Sequence, residues 1–242
     1  MRVPLARRAF AELLGTGLLV AVVVGSGIAA QRLSVDPGLQ LLENAVVTAA
    51  GLPVLILVLG PVSGAHLNPV VSVADWLLGR FSGGGLAGRD VAVYAGAQVV
   101  GAVGGALLAN AMFGVSAGFS THPRGGFGLW LGEVVATAGL LLVIVALARS
   151  GRSGQTPWAV GAYIGAAYWF TSSTSFANPA VSVGRAFSDT FAGIAPASLG
   201  GFVLAEVVGG AVGLGLVLAL FPGDAAAQLV VPAEGVSTGS AR

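Results

Sequence analysis

Few side chains in this 242-residue sequence could do chemistry, and those that could come in pairs. Asn68-Pro69-Val70 lies in SGAHLNPVVSVAD, and Asn178-Pro179-Ala180 lies in FANPAVSVGR. From each Asn the two stretches match: N-P, a small residue, V-S-V, a small residue, a charge. Pro lacks a backbone N–H and has a fixed φ, so it suits the first turn of a helix. Asn is a strong N-cap. Asn-Pro therefore starts a helix abruptly, and each such start carries about half an elementary positive charge. The amides of Asn68 and Asn178 add hydrogen-bond donors. This is chemistry for holding a neutral polar molecule and repelling a cation. One Asn-Pro would simply cap a turn; two in register imply a shared site.

The titratable residues are sparse. Glu12 and Glu133 occupy related places, and buried carboxylates of this kind invite two readings. One is proton-coupled transport. The other is that each accepts backbone N–H or His bonds and holds a loop, with His66 the expected partner of Glu133. Glu206 and Gln98 read as buried structural acceptors. His66 precedes the first Asn-Pro and His122 lies in THPRGG, so they form no metal site, and no Ser-His-Asp arrangement can be argued. The chain has no Cys, which removes a disulfide scaffold, a Cys-ligated metal and a Cys nucleophile. No cofactor and no enzymatic activity are expected. Arg185 lies four residues beyond Val181, on the same helix face. Its guanidinium either lines an outer vestibule or pairs with Asp189 at i+4. Asp75 sits at the same offset from Asn68 as Arg185 does from Asn178.

The elements that position these residues must lie in a bilayer. Charged residues make up 9% of the chain, against about 25% in a soluble domain, and mean hydropathy is +0.90. A net charge of +1 gives no field for nucleic acid. Six apolar segments are long enough to span: 9–31, 41–60, 90–112, 127–148, 157–174 and 197–221. Two shorter stretches, 68–79 and 178–187, reach about half a bilayer as helix. The N-terminal MRVPLARRAF opens a first span, not a signal peptide, because the run from Phe10 to Ala30 can cross and includes Glu12. The tail from 222 to 242 reads as a disordered cytoplasmic end. The side bearing Arg2, Arg7, Arg8, Arg80, Arg89, Arg149, Arg152 and Arg242 should be cytoplasmic. Both termini then lie inside.

The spans repeat. Ala11-Glu12-Leu13-Leu14-Gly15-Thr16 matches Gly132-Glu133-Val134-Val135-Ala136-Thr137, and Gln98-Val99-Val100-Gly101 matches Glu206-Val207-Val208-Gly209. One channel domain over 1–221 is expected, with repeat one at about 9–112 and repeat two at about 127–221. Each repeat holds three spans and a half-span, an odd number, so the second is inverted. Inverted repeats place a site at mid-bilayer, where broken helices meet. Non-helical backbone before each Asn (Ser63 to Leu67, Thr171 to Ala177) is tolerated there only if it lines a cavity. Such a conduit suits small uncharged polar molecules.

SGAHLNP, the second Asn-Pro-Ala and the Glu-x-x-x-Thr repeat resemble the major intrinsic protein family of aquaporins and aquaglyceroporins over residues 9–221. The resemblance implies an all-α membrane protein of six transmembrane helices plus two re-entrant half-helices, a homotetramer with one pore per subunit, and passive transport. Val70 departs from the usual Ala, adding methyls to a contact between the half-helices. In the family a ring of four positions sets pore width, and offsets from the two Asn residues carry it to Thr48, Ala166, Ser175 and Val181. Water-selective members resemble an aromatic, His and Arg at this ring. Here the ring reads as wide and without Arg, which admits solutes bulkier than water. FANPAVSVGRAFSDTFAGIAP is similar to a bacterial subgroup whose genes often accompany arsenic-resistance genes. The resemblance thus implies arsenous or methylated arsenic acid, glycerol and water as solutes, in a bacterial inner membrane. A generic aquaglyceroporin or water channel, and a proton-coupled transporter using Glu12 or Glu133, remain as alternatives. The expected partners are the lipid bilayer and a small neutral solute.

Overall fold

The structure is a computed structural model that describes residues 3–221; the tail 222–242 lies outside the described residues. Among the described residues eight α-helices follow one another: α1 Leu5–Leu33, α2 Pro37–Ser63, α3 Pro69–Ser82, α4 Gly88–Met112, α5 Phe127–Arg149, α6 Thr156–Phe170, α7 Pro179–Arg185 and α8 Leu199–Leu220. No strand occurs among the described residues. In each half the third helix is the shortest: 29, 27, 14 and 25 residues in α1–α4, and 23, 15, 7 and 22 in α5–α8.

Among the described residues five helices are long and apolar enough to cross a membrane: α1, α2, α4, α5 and α8 with its leading turn. The expected fifth span, 157–174, is shorter. Its helix α6 has 15 residues, or roughly 22 Å at 1.5 Å per residue, and the chain leaves the helix at Thr171. The first half-helix runs longer than expected, to Ser82, and the second ends early at Arg185. Local chemistry sets both starts. Asn68 Oδ1 accepts from Val70 N at 2.9 Å and Asn178 Oδ1 from Ala180 N at 3.0 Å, with Pro at the first helical position each time.

Glycine lets the long helices approach. A Cβ on Gly101 or Gly105 of α4 would meet the backbone oxygen of Leu13 or Gly17 of α1. In the other half, a Cβ on Gly209 or Gly213 of α8 would lie 2.6 Å from Val134 O or 2.8 Å from Ala138 O of α5. These small-residue crossings are how apolar helices gain packing where burial from water offers no drive between them. The half-helices interlock the repeats: α7 packs on α4, and α3 on α4 and α8. Large apolar side chains such as Val58, Val100 and Leu204 remain exposed on the outside, where lipid would cover them.

On the face away from the N-terminus the two connecting loops clamp together. Ser120 N donates to Ala186 O at 2.8 Å and Ala195 N to His122 O at 2.7 Å. Arg124 threads between them, donating through Nε to Gly193 O at 2.8 Å and through Nη2 to Phe191 O at 3.1 Å. Burial pushes its guanidinium below the ordinary arginine value.

Candidate functional site: a cavity between two half-helices

The segments leading into α3 and α7 are extended and unusual. Ala65 and Leu67 in the first, and Thr174, Ser175 and Ala177 in the second, have positive φ without being glycine. Left-handed backbone at such residues persists only when the surroundings over-determine it. Two buried carboxylates supply that constraint. Glu12 Oε1 accepts from Ser63 Oγ at 2.6 Å and His66 N at 2.9 Å, while its Oε2 accepts from Leu67 N at 2.7 Å and Gln98 Nε2 at 2.8 Å. Glu133 accepts from Phe176 N at 2.9 Å and Ala177 N at 2.7 Å. The expected pairing of His66 with Glu133 is therefore corrected. Inversion puts the start of α5 on the opposite side from the start of α1, so Glu133 meets the second loop and Glu12 the first. His66 instead turns its Nδ1 to Ser72 Oγ at 3.1 Å and its Nε2 toward Asp75 at 4.0 Å.

The two Asn side chains brace each other's loops. Asn68 Nδ2 donates to Ala177 O and Asn178 Nδ2 to Leu67 O, both at 2.7 Å. Each amide nitrogen has a second hydrogen, and both residues line one cavity that holds about 890 Å³ of empty space, its solvent-open ends included. Gly64, Ala65, His66 and Leu67 border it before the Asn pair, and Ser175, Phe176 and Ala177 beyond it. Leu19, Val23, Leu52, Leu140, Ile144 and Ile164 add an apolar lining from four helices, with Thr48, Thr156 and Tyr168 among them.

Of the four ring positions, Thr48, Ser175 and Val181 line this cavity. Ala166 does not: it is exposed on the outer side of α6. Residues 156, 160, 164 and 168 repeat every four along one helix face, and all four border the cavity; position 166 lies between two of them and faces away. The fourth side belongs to Tyr168, 2% exposed, whose hydroxyl is 3.2 Å from Thr48 Oγ1. Sequence counting missed Tyr168, although the spacing Val160-Ile164-Tyr168 contained the signal. Arg185 also borders the cavity. Tyr168 thus places an aromatic beside Thr48 where Ala166 was expected, and Arg185 borders the cavity as in the vestibule reading.

Arg185 does not pair with Asp189. It is 2% exposed, its Cζ lies 3.4 Å from the Phe176 ring centre, and its Nε donates to Ala192 O. Asp189 is occupied by the loop clamp, accepting from Thr121 N at 2.7 Å and standing 3.7 Å from His122 Nε2. Val70 also reaches a long helix. It packs on α8, where a Cβ on Gly210 would lie 2.6 Å from Val70 Cγ1.

Inverted spans and two helix ends meeting at a cavity lined by both polar and apolar side chains define a pore-forming membrane protein. A family comparison agrees: the major intrinsic protein profile matches residues 1–190. The chain is 52% identical over 213 residues to the aquaglyceroporin AqpS of Rhizobium meliloti (strain 1021), covering 88% of this chain and 89% of that one. It is 32% identical over 223 residues to the glycerol uptake facilitator protein of Pseudomonas aeruginosa, covering 79% and 77%. The chain belongs to the major intrinsic protein family, whose members are channels and not enzymes. The fold is shared with the aquaglyceroporin from Plasmodium falciparum, at TM-score 0.69 and 20% identity over 88% of this chain and 96% of that one.

Proposed function

We propose that this chain is a passive conduit for small uncharged polyhydroxy solutes and water, with glycerol and arsenous acid as the test cases. One observation carries the reading. The Ser175 hydroxyl is buried beside the cavity without a hydrogen-bond partner. It shares the lining with Asn68 and Asn178 and with aliphatic side chains of α1, α2, α5 and α6. An unpaired buried hydroxyl costs about 1–3 kcal/mol, and a passing hydroxyl solute relieves that cost. A lining of both kinds suits small molecules that carry hydroxyls and an apolar part. Glycerol has that form, and so does neutral arsenous acid. A methylated arsenic acid turns a methyl to the aliphatic side chains.

A second reading is favoured by Tyr168 and Arg185, which take space that Ala166 would have left open. On that reading water passes readily and larger solutes do not. Stopped-flow light scattering on proteoliposomes, with water, glycerol and arsenous acid in turn, separates the two. Glycerol and arsenous acid flux well above that of empty vesicles supports the polyol conduit. Fast water with background flux of both larger solutes leaves the narrower channel. Flux linear in the gradient and indifferent to a proton gradient is expected in either case. We further propose a homotetramer in a bacterial inner membrane with the N-terminus in the cytoplasm. The excess of Arg beside the first span supports that orientation.

A further inference from the structure

We propose that Glu206 is a positioning residue that acts as a neutral carboxylic acid, donating its proton to Glu133 and so fixing Asn178 at the cavity. The flux part of its test rests on the conduit reading above; the protonation itself does not. In repeat one, Gln98 of α4 stands between Glu12 and Ser72. Its Nε2 donates to Glu12 Oε2 at 2.8 Å and to Ser72 Oγ at 3.1 Å. In repeat two, Glu206 of α8 stands between the equivalent residues, Glu133 and Ser182. A carboxyl group thus occupies the place of an amide donor. An amide brings two hydrogens to that place, whereas an ionised carboxylate brings none.

The donors and acceptors around the pair assign the proton. Glu206 Oε1 accepts from Asn178 N at 3.1 Å and from Ser182 Oγ at 2.6 Å. Its Oε2 is buried and, among the described residues, accepts from no donor. The carboxyl of Glu133 stands beside it. Both oxygens of Glu133 are already acceptors, Oε1 for Phe176 N and Oε2 for Ala177 N. Two ionised carboxylates side by side and away from water repel strongly, and one shared proton removes that repulsion. A proton on Glu206 Oε2 gives that oxygen a partner. It also gives Glu133 the side-chain donor that Glu12 receives from Gln98.

The surrounding charges select the same member of the pair. Of the elements packed on α8, α5 supplies Glu133, α7 supplies Arg185, and residues 196–198 supply no titratable group. The acid of α3, Asp75, is taken by Leu86 N at 2.7 Å. Arg185 attracts both carboxyls, and Arg124, from the loop between α4 and α5, attracts Glu133. Glu133 therefore has two backbone N–H groups and two guanidiniums to hold its charge, and the proton falls to Glu206. Neutral Glu206 keeps Oε1 on Asn178 N. Asn178 in turn caps α7 through Oδ1, braces Leu67 O through Nδ2 at 2.7 Å and borders the cavity. This support is present while the proton is bound and is lost as pH rises and removes it. Repeat one has no such dependence, because Gln98 does not titrate.

The test uses the full chain. Infrared spectra in detergent at neutral pH read protonated carboxyl groups by their C=O stretch. The difference between wild type and Glu206→Gln should contain such a band, which an ionised brace would not give. In proteoliposomes, wild-type glycerol flux should fall at least about 3-fold between about pH 7 and about pH 10 and recover on return to neutral pH. Glu206→Gln, with an amide in place of the acid, should vary by less than about 1.5-fold over that range. A monodisperse Glu206→Gln protein whose difference spectrum lacks the band overturns the proposal. So does a Glu206→Gln channel that loses flux in alkali as wild type does. Absent wild-type glycerol flux at neutral pH defeats the conduit reading alone, and the infrared band still decides the protonation. If Glu206→Gln does not fold, wild type decides: a protonated-carboxyl band that disappears in alkali supports the proposal, and a missing or unchanging one overturns it.

Discussion

The two halves of this chain solve one construction problem with different residues. Each must hold an extended, partly left-handed loop in the membrane and start a half-helix from its end. Repeat one spends one carboxylate heavily: Glu12 accepts four hydrogen bonds, from Ser63, His66, Leu67 and Gln98. Repeat two keeps that pattern and adds a second carboxylate. Glu133 takes Phe176 N and Ala177 N with Ser173 and Glu206 beside it, and Glu206, at the place equivalent to Gln98, also takes Asn178 N at 3.1 Å and Ser182 Oγ at 2.6 Å. The difference teaches that the repeat conserves the satisfaction of backbone donors, while the identity of the acceptor is free to change.

Breaking that comparison should produce the largest effects. Glu12→Ala leaves two buried N–H groups, a hydroxyl and an amide unpaired, at about 1–3 kcal/mol for each orphan. Its expected outcome is loss of several kcal/mol and poor recovery of folded protein. Glu133→Ala strands Phe176 N and Ala177 N and takes the neighbour of Ser173 and Glu206 away, so it should cost a comparable amount. Thermal unfolding in detergent, followed by size-exclusion chromatography, ranks the two. A much smaller loss for Glu133→Ala would show that Glu206 takes over the task.

Packing offers the next contrast. At the second position of the Asn-Pro helix repeat one has Val70 and repeat two Ala180; one place after the aligned glycines Gly101 and Gly209 stand Ala102 and Gly210. The added methyls on α3 face an absent one on α8. Gly210→Ala would put Cβ 2.6 Å from Val70 Cγ1, an overpacking worth about 1–3 kcal/mol. The double variant Val70→Ala/Gly210→Ala should recover most of that loss. A double-mutant cycle on unfolding reads the coupling, and strict additivity would show that the two do not meet.

This pair also marks where sequence reasoning ran out. The doubled Asn-Pro, the recurring Glu-x-x-x-Thr and the odd number of spans made the inverted architecture legible, because helix starts, span lengths and buried charges are local or repeat-wide signals. Contacts across the inversion were not legible. Val70 reaches α8, a contact the sequence did not suggest; His66 was expected on Glu133 and sits beside Asp75 and Ser72. Ala166 failed for a different reason. Counting back from Asn178 crosses an irregular loop and then a helix, and an error of two residues turns a side chain to the opposite face. The i, i+4 row ending in Tyr168 is the more robust guide, since helical phase is fixed by geometry.

A smaller effect sharpens the first comparison. Glu206→Gln keeps an oxygen for Asn178 N and Ser182 Oγ and supplies an amide that could donate as Gln98 Nε2 does to Glu12. Stability should change by no more than about 1 kcal/mol, with glycerol flux unaltered. A collapse of flux would assign Glu206 a role that its equivalent in repeat one does not have.

The smallest effect lies in the loops after the half-helices, where the repeats differ in length: residues 83–87 join α3 to α4, but 186–198 join α7 to α8. The longer loop is clamped by Asp189, which accepts from Thr121 N at 2.7 Å and Thr121 Oγ1 at 3.0 Å. These bonds, chiefly the backbone one, hold its carboxyl below the usual aspartate value. A depressed carboxylate contributes its stability in full above the unfolded value, about 3.9, and loses it as pH falls through the lower folded value. The clamp should therefore be insensitive to pH from about 5 upward and open only in acid, below about pH 4. Asp189→Asn should leave flux at neutral pH unchanged and remove this acid limb. Hydrogen exchange at residues 120–124, corrected for the intrinsic pH dependence of amide exchange, reads the opening. If Asp189→Asn opens in acid as wild type does, the clamp is held by Arg124 and the backbone pairs instead.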